Sequence, residues 1–426
     1  MNLYELKLAV SSNEYDDKIS RIYGAKELDN TKKRYEEAID GFKEFFGYEE
    51  GEFYIFSSPG RTELCGNHTD HNYGKVLAGA VNIDVIGVVC KNGGDTVRVK
   101  SKGHSVNEIT LGELEPISGE EGSSNAILRG TVSRIKDMGY KVGGFDAYTV
   151  SSVPAGSGLS SSAAYECLLG YITSNLFNND AITNVELAKI SQYAENVFFG
   201  KPCGLMDQLT VATGSAVKFD FKNIDNPSIE RLEYDFQNSG YSLCIVNTGG
   251  SHADLTEDYA AVRKEMESVA AAFGKSVLRE VNKEDVIAKM GELRSTVGDR
   301  ALLRAMHYYG ENERVENAAA CLKNGDFKGF LACIKDSGFS SYMYNQNVYS
   351  SKKPDEQGIS LALNIAESVL KEDGAYRVHG GGFAGTIQAF VPNDKLDEFK
   401  EKIEAVFGED NCYILSIRPC GPARII

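Results

Sequence analysis

The sequence predicts a mixed α/β (α+β) protein of two domains. The chain has 426 residues, which is more than one hydrophobic core usually serves. Strand-like and helix-like runs alternate through its first half, whereas the stretch from Asp254 to about Lys335 is mostly helical in pattern. We therefore expect an N-terminal helical extension over 1–45, a first domain over 46–235 and a second domain over 236–426.

Apolar spacing and turn residues predict the individual elements in order. Helices are expected at Lys32–Phe46, Asn125–Met138, Ala163–Leu176, Asn184–Phe199, Gly358–Lys371 and Leu396–Phe407. Strands are expected at Phe53–Ser58, Val76–Cys90, Thr96–Ser101, Glu108–Leu111, Phe145–Val153, Ala216–Phe221, Leu243–Asn247, Thr386–Val391 and Cys412–Ile417. Asn92-Gly93-Gly94-Asp95 is typical of a hairpin turn, and the polar segment Ser337–Asp355 is expected to be a surface connection.

The composition excludes some functions and favours others. Lysine and arginine total 45 against 61 acidic residues, so the net charge is −16, which disfavours nucleic acid and anionic membranes as partners. The nine cysteines form no CxxC pair and suit free thiols in a reducing compartment. No signal pattern opens the chain, and no apolar run approaches the ~18 residues that span a bilayer. We expect a cytoplasmic protein.

The stretch Pro154–Ala164 is rich in glycine and serine and lies between a predicted strand and a predicted helix. A helix N-terminus offers unpaired N–H groups at the positive end of the helix dipole, and glycine lets an anion approach the backbone closely. Ser160–Ser162 can instead be ordinary capping residues of a tight turn. The stretch is a candidate phosphate loop.

Two histidines and a carboxylate occur together in His68-Thr69-Asp70-His71. A zinc site is disfavoured, since no second histidine or cysteine group stands at ligand spacing. Together with Arg61 and Asn67, these residues form a dense polar set beside apolar strands, as a hydroxyl-rich ligand such as a sugar requires. A capped turn between strands is the plainer alternative. Asp207 taken alone is typical of a solvated loop acid.

Four stretches taken together resemble the GHMP small-molecule kinases, and the galactokinase branch most closely. They are Ser58–His71, Pro154–Ala164, Cys203–Gln208 and Gly380–Gly385. Their order and spacing agree from about residue 40 to the C-terminus. The resemblance implies a two-domain GHMP kinase fold with the active site in the interdomain cleft, and an ATP- and Mg²⁺-dependent sugar 1-kinase acting on galactose.

The resemblance also implies roles for single residues. Asp207 and Arg61 match the catalytic pair, and Ser161 and Glu195 match the magnesium ligands. Sugar-contacting positions fall on Asn67, His68, Thr69, Asp70 and Tyr259. The residues that would hold the triphosphate are Ala155, Gly156, Ser157, Gly158, Leu159, Ser160 and Ser161. Ser101 matches a nucleotide contact. The expected partners are a small sugar and ATP, and we expect a monomer.

Departures from the family pattern keep the sugar open. The signature usually has Asn at the position of Glu63, Glu at Asn67 and Tyr at His71, and His379 and Ala384 also differ from the usual third motif. The usual glutamate faces the C6 end of the sugar, and an amide there can donate a hydrogen bond. Galacturonate is therefore an alternative substrate, and a non-catalytic sugar-sensing paralogue is a second alternative.

Overall fold

The structure, a computed structural model, describes residues 1–154, 156–250 and 255–426. Three helices open the chain: α1 (Leu3–Ser11), α2 (Asp16–Tyr23) and α3 (Leu28–Phe46). The next part contains β1 (Phe53–Cys65), β2 (Lys75–Lys91), β3 (Thr96–Ser101), β4 (Val106–Thr110), α4 (Ser124–Asp137), β5 (Phe145–Ser151), α5 (Ser161–Asn178), α6 (Asn184–Tyr193), α7 (Met206–Thr213), β6 (Ala216–Asp220) and β7 (Ser228–Leu232). A π-helical segment, Ala194–Phe199, continues α6.

The rest of the chain begins with a strand and a run of helices: β8 (Tyr241–Asn247), α8 (Thr256–Ala271), α9 (Lys283–Ala288), α10 (Met290–Thr296), α11 (Asp299–Lys323) and α12 (Phe327–Ser340). A second π-helical segment, Ser341–Asn345, extends α12. The final elements are α13 (Gly358–Leu370), β9 (Ala375–His379), β10 (Thr386–Pro392), α14 (Leu396–Phe407), β11 (Cys412–Leu415) and β12 (Ala423–Arg424).

Within the described residues, the strands form two sheets. The first has the order β12-β1-β2-β5-β3-β4, and β6 pairs with the start of β2 and carries β7 at its other edge. The second has the order β11-β8-β10-β9 and is antiparallel throughout. The end of the chain returns to the first sheet, since Arg424 pairs with Phe56.

Helices cover both faces of the first sheet. On one face, Tyr35 and Phe42 of α3 pack against Ile55 and Val88 of the strands, together with apolar residues of α1 and α2. Each such fully buried side chain contributes roughly 1.5–3 kcal/mol. Helices α4 to α7 cover the opposite face, α13 and α14 pack on the second sheet, and α8 to α11 share a further cluster. In the part of the chain that the structure describes, no helix is long and apolar enough to cross a membrane.

Several predicted elements are confirmed. The bounds of β3 and α14 agree with the prediction, and Thr183 and Glu186 form the expected capping box at the start of α6. The left-handed Gly47 ends α3 as expected. Local side-chain chemistry suffices in these places, because capping groups satisfy the terminal N–H groups without help from distant residues.

The predicted hairpin at Asn92–Asp95 is wrong. Strand β5 lies between β2 and β3, antiparallel to β2 and parallel to β3, so the turn joins two strands that do not pair. Most of β5 is buried, and the central place in the sheet satisfies its backbone on both sides. The hairpin is formed by β3 and β4 instead.

The predicted surface connection at Ser337–Asp355 is wrong for its first part. These residues belong to α12 and to the π-helical segment Ser341–Asn345, and several of their polar side chains are buried. Ser351, Lys352 and Asp355 are exposed, as predicted. Ser341, Asn345 and Asn347 are fully buried. The polar composition predicted exposure to solvent, but Ser341 and Asn347 bond to Asn67 instead.

Candidate active site

The predicted catalytic pair forms a two-pronged ion pair. Arg61 lies on β1, which runs beyond the predicted strand end at Ser58, and Asp207 lies in the first turn of α7. Arg61 Nε is 2.7 Å from Asp207 Oδ1, and Arg61 Nη2 is 2.5 Å from Oδ2. Arg61 also donates to the carbonyl of Gly158, and the Ser160 hydroxyl donates to Asp207. The carboxylate is thus held in one orientation while its side chain stays 33% exposed.

The candidate phosphate loop enters α5 through left-handed residues. Gly156, Gly158 and Ser160 have φ values of 74°, 70° and 56°. A side chain at Gly158 would lie 3.2 Å from His379 Nδ1, so the loop packs closely on β9. Ser160 precedes α5, whose first residue is Ser161. The free N–H groups of this helix start lie beside the Arg61–Asp207 pair, where they suit an anion.

Two residues of the candidate phosphate loop, Ser157 and Leu159, bond to neighbouring parts of the protein. The Ser157 hydroxyl donates to Pro154 O at 2.7 Å, and the side chain of Leu159 is fully buried. The Leu159 carbonyl accepts from the Arg61 N–H at 3.0 Å. These residues therefore contribute backbone shape more than side-chain donors. Ala155, the remaining predicted residue of the loop, lies outside the described residues.

A cavity of about 620 Å³ opens at the start of α5. Ser101, Ser161 and Glu195 line it together, so the structure brings these three predicted residues to one place. The Ser101 hydroxyl contacts Thr149 Oγ1 at 2.8 Å. Tyr165 also lines the cavity, and burial raises the pKa of its hydroxyl to about 12. The size lies in the usual range for small-ligand sites.

Two carboxylates at this cavity are linked by one amide. Gln208 Nε2 donates to Glu195 Oε2 at 2.9 Å and to Glu166 Oε2 at 3.2 Å, while Lys201 Nζ is 3.1 Å from Glu195 Oε1. Burial and the neighbouring Glu195 raise the pKa of Glu166 well above its ordinary value. Within the described residues, Glu166 Oε1 is buried without a partner. Together with the hydroxyl of Ser161, this oxygen-rich donor set fits Mg²⁺.

The predicted sugar residues lie on the turn that joins β1 to β2. His68 Nε2 is 2.8 Å from Gly381 O, so the turn touches the glycine loop after β9. Burial lowers the pKa of His68 to about 4. The Thr69 hydroxyl donates to Lys75 O at 2.6 Å and so holds the turn itself. A side chain at Gly204 would lie 2.8 Å from Asp70 Oδ2, which puts Asp70 beside the loop that leads to Asp207.

The Asn67 amide is used entirely by the protein. Its Nδ2 donates to Glu63 Oε1 at 3.1 Å and to Gly380 O at 2.8 Å. Its Oδ1 accepts from Asn347 Nδ2 at 2.8 Å and from Ser341 Oγ at 3.4 Å. An amide has two N–H donors and two acceptor sites, so these contacts fill its capacity. Asn67 is 1% exposed and positions the turn.

Tyr259 joins α8 to the same glycine loop. Its hydroxyl donates to Gly382 O at 2.7 Å, and its ring stands edge-on to Phe383 at 5.4 Å between centroids. A side chain at Gly381 would clash with this ring at 2.5 Å. The glycine at this position is therefore required by packing.

The sequence prediction missed several residues that support the site. Arg377 on β9 donates to Glu63 Oε1 at 2.8 Å, and both side chains are buried. His379 lies between Thr62 and Thr386, and burial together with the charge of Arg61 lowers its pKa well below the ordinary value. Glu63 and Thr62 are 314 and 317 positions away from these partners, so no local signal identifies the pairs. Asn347 was missed for the same reason, since its partner Asn67 is 280 positions away. Gln208 lies in the predicted stretch Cys203–Gln208, but its bonds to Glu166 and Glu195 were not predicted.

Comparison with known proteins identifies the family. Residues 40–91 match the galactokinase galactose-binding signature, and residues 126–215 match the GHMP kinases N terminal domain. A galactokinase from Clostridium tetani is 34% identical over 366 residues, which cover 85% of this chain and 90% of that protein. A galactokinase from Glaesserella parasuis is 32% identical over 367 residues, covering 85% and 91%.

Solved structures agree on the fold. Lactococcus lactis galactokinase complexed with galactose superposes with a TM-score of 0.75 at 25% identity, covering 90% of this chain and 98% of that one. A mevalonate kinase superposes with a TM-score of 0.61 at 14% identity, covering 85% and 99%, which shows the fold alone. The mixed α/β architecture is that of the GHMP kinases, and the chain belongs to the galactokinase family.

Proposed function

We propose that this protein is an ATP-dependent sugar 1-kinase that phosphorylates the anomeric hydroxyl of D-galactose. The observation that carries the proposal is the Arg61–Asp207 ion pair directly beside the start of α5. Phosphoryl transfer needs positioning and charge stabilisation more than covalent chemistry from the protein. This pair and the free N–H groups of the helix start supply both in one place.

Each group has a distinct part in the proposed reaction. Asp207 accepts a hydrogen bond from the sugar hydroxyl and takes its proton as the phosphoryl group is transferred. Arg61 and Ser160 fix the carboxylate orientation, and the cationic guanidinium stabilises negative charge on the transferred group. The N–H groups around Ser160 and Ser161 bind the phosphates of ATP.

Ser161 and Glu195 are the proposed magnesium ligands, with Glu166 close behind them. The metal would screen the phosphate charge when bound. Tyr165 and Ser101 belong to the wall of the proposed nucleotide cavity. We further propose the division of the chain into 1–45, 46–235 and 236–426, and a cytoplasmic location, which the nine unpaired cysteines support.

The alternative substrate galacturonate has less support. The alternative needs a free donor at Asn67 for the C6 carboxylate, but both N–H groups of that amide are bonded to Glu63 and Gly380. A sensing role without catalysis is also less well supported, because Arg61, Ser160 and Asp207 are joined as a reaction of this kind requires.

The deciding experiment measures ADP release from Mg-ATP with galactose, galacturonate, N-acetylgalactosamine or glucose, and compares kcat/KM. We expect galactose to give the highest value. A higher value for galacturonate would assign the protein to that substrate. Sugar and ATP binding without turnover on any of the four would favour the sensor.

A further inference from the structure

A second cavity, which neither Arg61 nor Asp207 lines, lies between α12, the π-helical segment Ser341–Asn345 and α13. Its volume is about 400 Å³, within the usual range for small-ligand sites. Apolar and aromatic side chains form most of its wall: Phe339, Tyr342, Met343, Leu363 and Tyr376. We call this space the π-helix cavity.

One hydroxyl in the wall of the π-helix cavity lacks a hydrogen bond, and a second lies near a carboxylate of the same wall. Ser360 Oγ is buried without a partner in the part of the chain that the structure describes. Tyr376 is 7% exposed, and burial together with the neighbouring Glu367 raises its pKa to about 12. A buried polar group without a partner costs about 1–3 kcal/mol, so an occupant that bonds to the Ser360 hydroxyl gains affinity. An apolar cavity with a few convergent polar groups is the usual form of a small-molecule site.

The charges around the π-helix cavity balance. Lys335 and Glu367 line it with one charge of each sign, and Lys335 Nζ lies 5.9 Å from the centre of the Tyr376 ring while donating to Lys371 O. Since the wall is apolar and charge-balanced, a charged ligand would lose hydration without a matching counter-charge. The rings of Phe339, Tyr342 and Tyr376 suit a flat apolar ligand.

We propose that the π-helix cavity binds a neutral ring compound that bears a hydroxyl or carbonyl oxygen. The ring packs against the aromatic side chains and Met343, and the oxygen bonds to Tyr376 and Ser360. An aromatic side chain from a second copy of the chain would suit the ring-lined wall less well, since it brings no oxygen to these hydroxyls unless it is tyrosine.

The π-helical segment connects this cavity to the turn between β1 and β2 that carries Asn67, His68 and Thr69. We call this turn the sugar turn. Tyr342 and Met343 face the cavity, whereas Ser341 Oγ donates to Asn67 Oδ1 at 3.4 Å. Asn345 at the end of the segment is fully buried, and among the described residues neither its amide nitrogen nor its amide oxygen has a partner. π-Helical segments occur frequently at functional sites.

We expect binding in the π-helix cavity to change the affinity for the sugar, because Tyr342 in the wall adjoins Ser341, which bonds to Asn67. This second step rests on the proposed function, whereas binding in the cavity does not. Because coupling is reciprocal, galactose must change the affinity of the cavity ligand by the same factor, and we expect about fivefold.

The test uses 2-naphthol as the probe and the full chain without ATP or sugar. The protein contains no tryptophan, so naphthol fluorescence is readable at wavelengths where tyrosine does not absorb. We expect saturable binding of one naphthol per chain. Tyr376→Phe and Ser360→Ala should each raise the Kd about 2- to 10-fold, which corresponds to one lost hydrogen bond. Naphthalene, which has no oxygen, should bind the wild type and Tyr376→Phe equally.

A matched pair of variants on α13 tests the location. Leu363→Phe adds volume inside the π-helix cavity and should abolish naphthol binding, whereas Leu361→Phe on the exposed face of the same helix should leave it unchanged. Equal binding by both variants, or no saturable binding by the wild type, would overturn the proposal. Self-association in sedimentation that Met343→Lys abolishes would overturn it in favour of an interface between copies.

The coupling is tested by repeating the naphthol titration with saturating galactose. A changed naphthol Kd, with a matching change in galactose affinity when naphthol is present, supports the link through the π-helical segment. Naphthol binding that galactose leaves unaltered, in a protein that binds galactose, refutes the link. Naphthol binding by a protein that neither binds nor phosphorylates galactose refutes the proposed function and leaves the cavity site standing.

Discussion

The sugar turn and the cavity at the start of α5 differ in what holds their polar groups. Asn67 and His68 are bonded to the glycine loop after β9, and Thr69 is bonded within the turn itself. In the cavity, Glu166 Oε1 is buried with no partner among the described residues. The turn is therefore rigid before any ligand arrives, whereas the cavity contains a group that a ligand or cation can satisfy. With the proposed roles, the sugar would meet a prebuilt surface, whereas binding on the nucleotide side would depend on charge.

The largest effect is expected at Asp207, which lies between the sugar turn and the cavity at the start of α5. Asp207→Asn removes the proton acceptor while keeping the size of the side chain, so we expect kcat to fall by about 10²–10⁴. The measurement is ADP release with galactose, and ATP binding by calorimetry serves as the control for folding. Turnover close to that of the wild type would exclude Asp207 from the reaction.

The next prediction challenges the rigidity of the sugar turn. Asn67→Glu sets a second carboxylate beside the buried Glu63, which should destabilise the protein by about 3–5 kcal/mol in urea unfolding. In the double variant Glu63→Asn with Asn67→Glu, one amide and one carboxylate again face each other. We expect it to be more stable than the sum of the two single changes predicts. Simple additivity would show that the two side chains do not act together.

The third prediction addresses charge at the nucleotide cavity. Glu195→Gln removes a proposed metal ligand, so Mn²⁺ should bind the ATP complex about 10- to 100-fold more weakly in electron paramagnetic resonance titrations. Glu166→Gln should weaken it less. Glu113→Gln, at an exposed position, is the control. Unchanged Mn²⁺ affinity in Glu195→Gln would remove that residue from the metal site.

The smallest effect concerns His307, which supports the sugar turn from α11. Its Nε2 lies 2.9 Å from Asn67 O, and burial lowers its pKa to about 4. The unfolded chain binds the proton near pH 6.5, so His307 costs stability as pH falls from about 6.5 towards 4. In His307→Gln, the loss of unfolding free energy between pH 7 and pH 5 should shrink by about 1–2 kcal/mol.

The exposed His104→Gln serves as the control for this pH dependence, since it should keep the wild-type loss of stability. Unfolding free energies from urea titrations at each pH provide the measurement. The same pH dependence in all three proteins would mean that His307 gains no proton on unfolding in this range.

Sequence alone determined the features that arise from neighbouring residues. The glycine-serine loop before α5, the capping box at Thr183 and the helix α14 follow from local backbone and side-chain chemistry, and they appear where predicted. The resemblance to the galactokinase family rests on such contiguous stretches and is confirmed by the relatives. The roles of the single site residues, including Ser161, Glu195 and Tyr259, stay predictions.

Only the tertiary structure decided which polar groups are free for a ligand. The sequence suggested that the Asn67 amide could recognise a sugar carboxylate. In the structure, both N–H groups of that amide already donate to the protein, one to Glu63 and one to Gly380. The composition around Asn347 predicted a solvent-exposed segment, but the Asn347 side chain is buried. Strand β5 pairs with β2 and with β3, which were expected to pair with each other as a hairpin. Hydrogen bonds such as that from Asn67 to Gly380 join residues 313 positions apart in the chain. Short-range sequence patterns therefore cannot predict them.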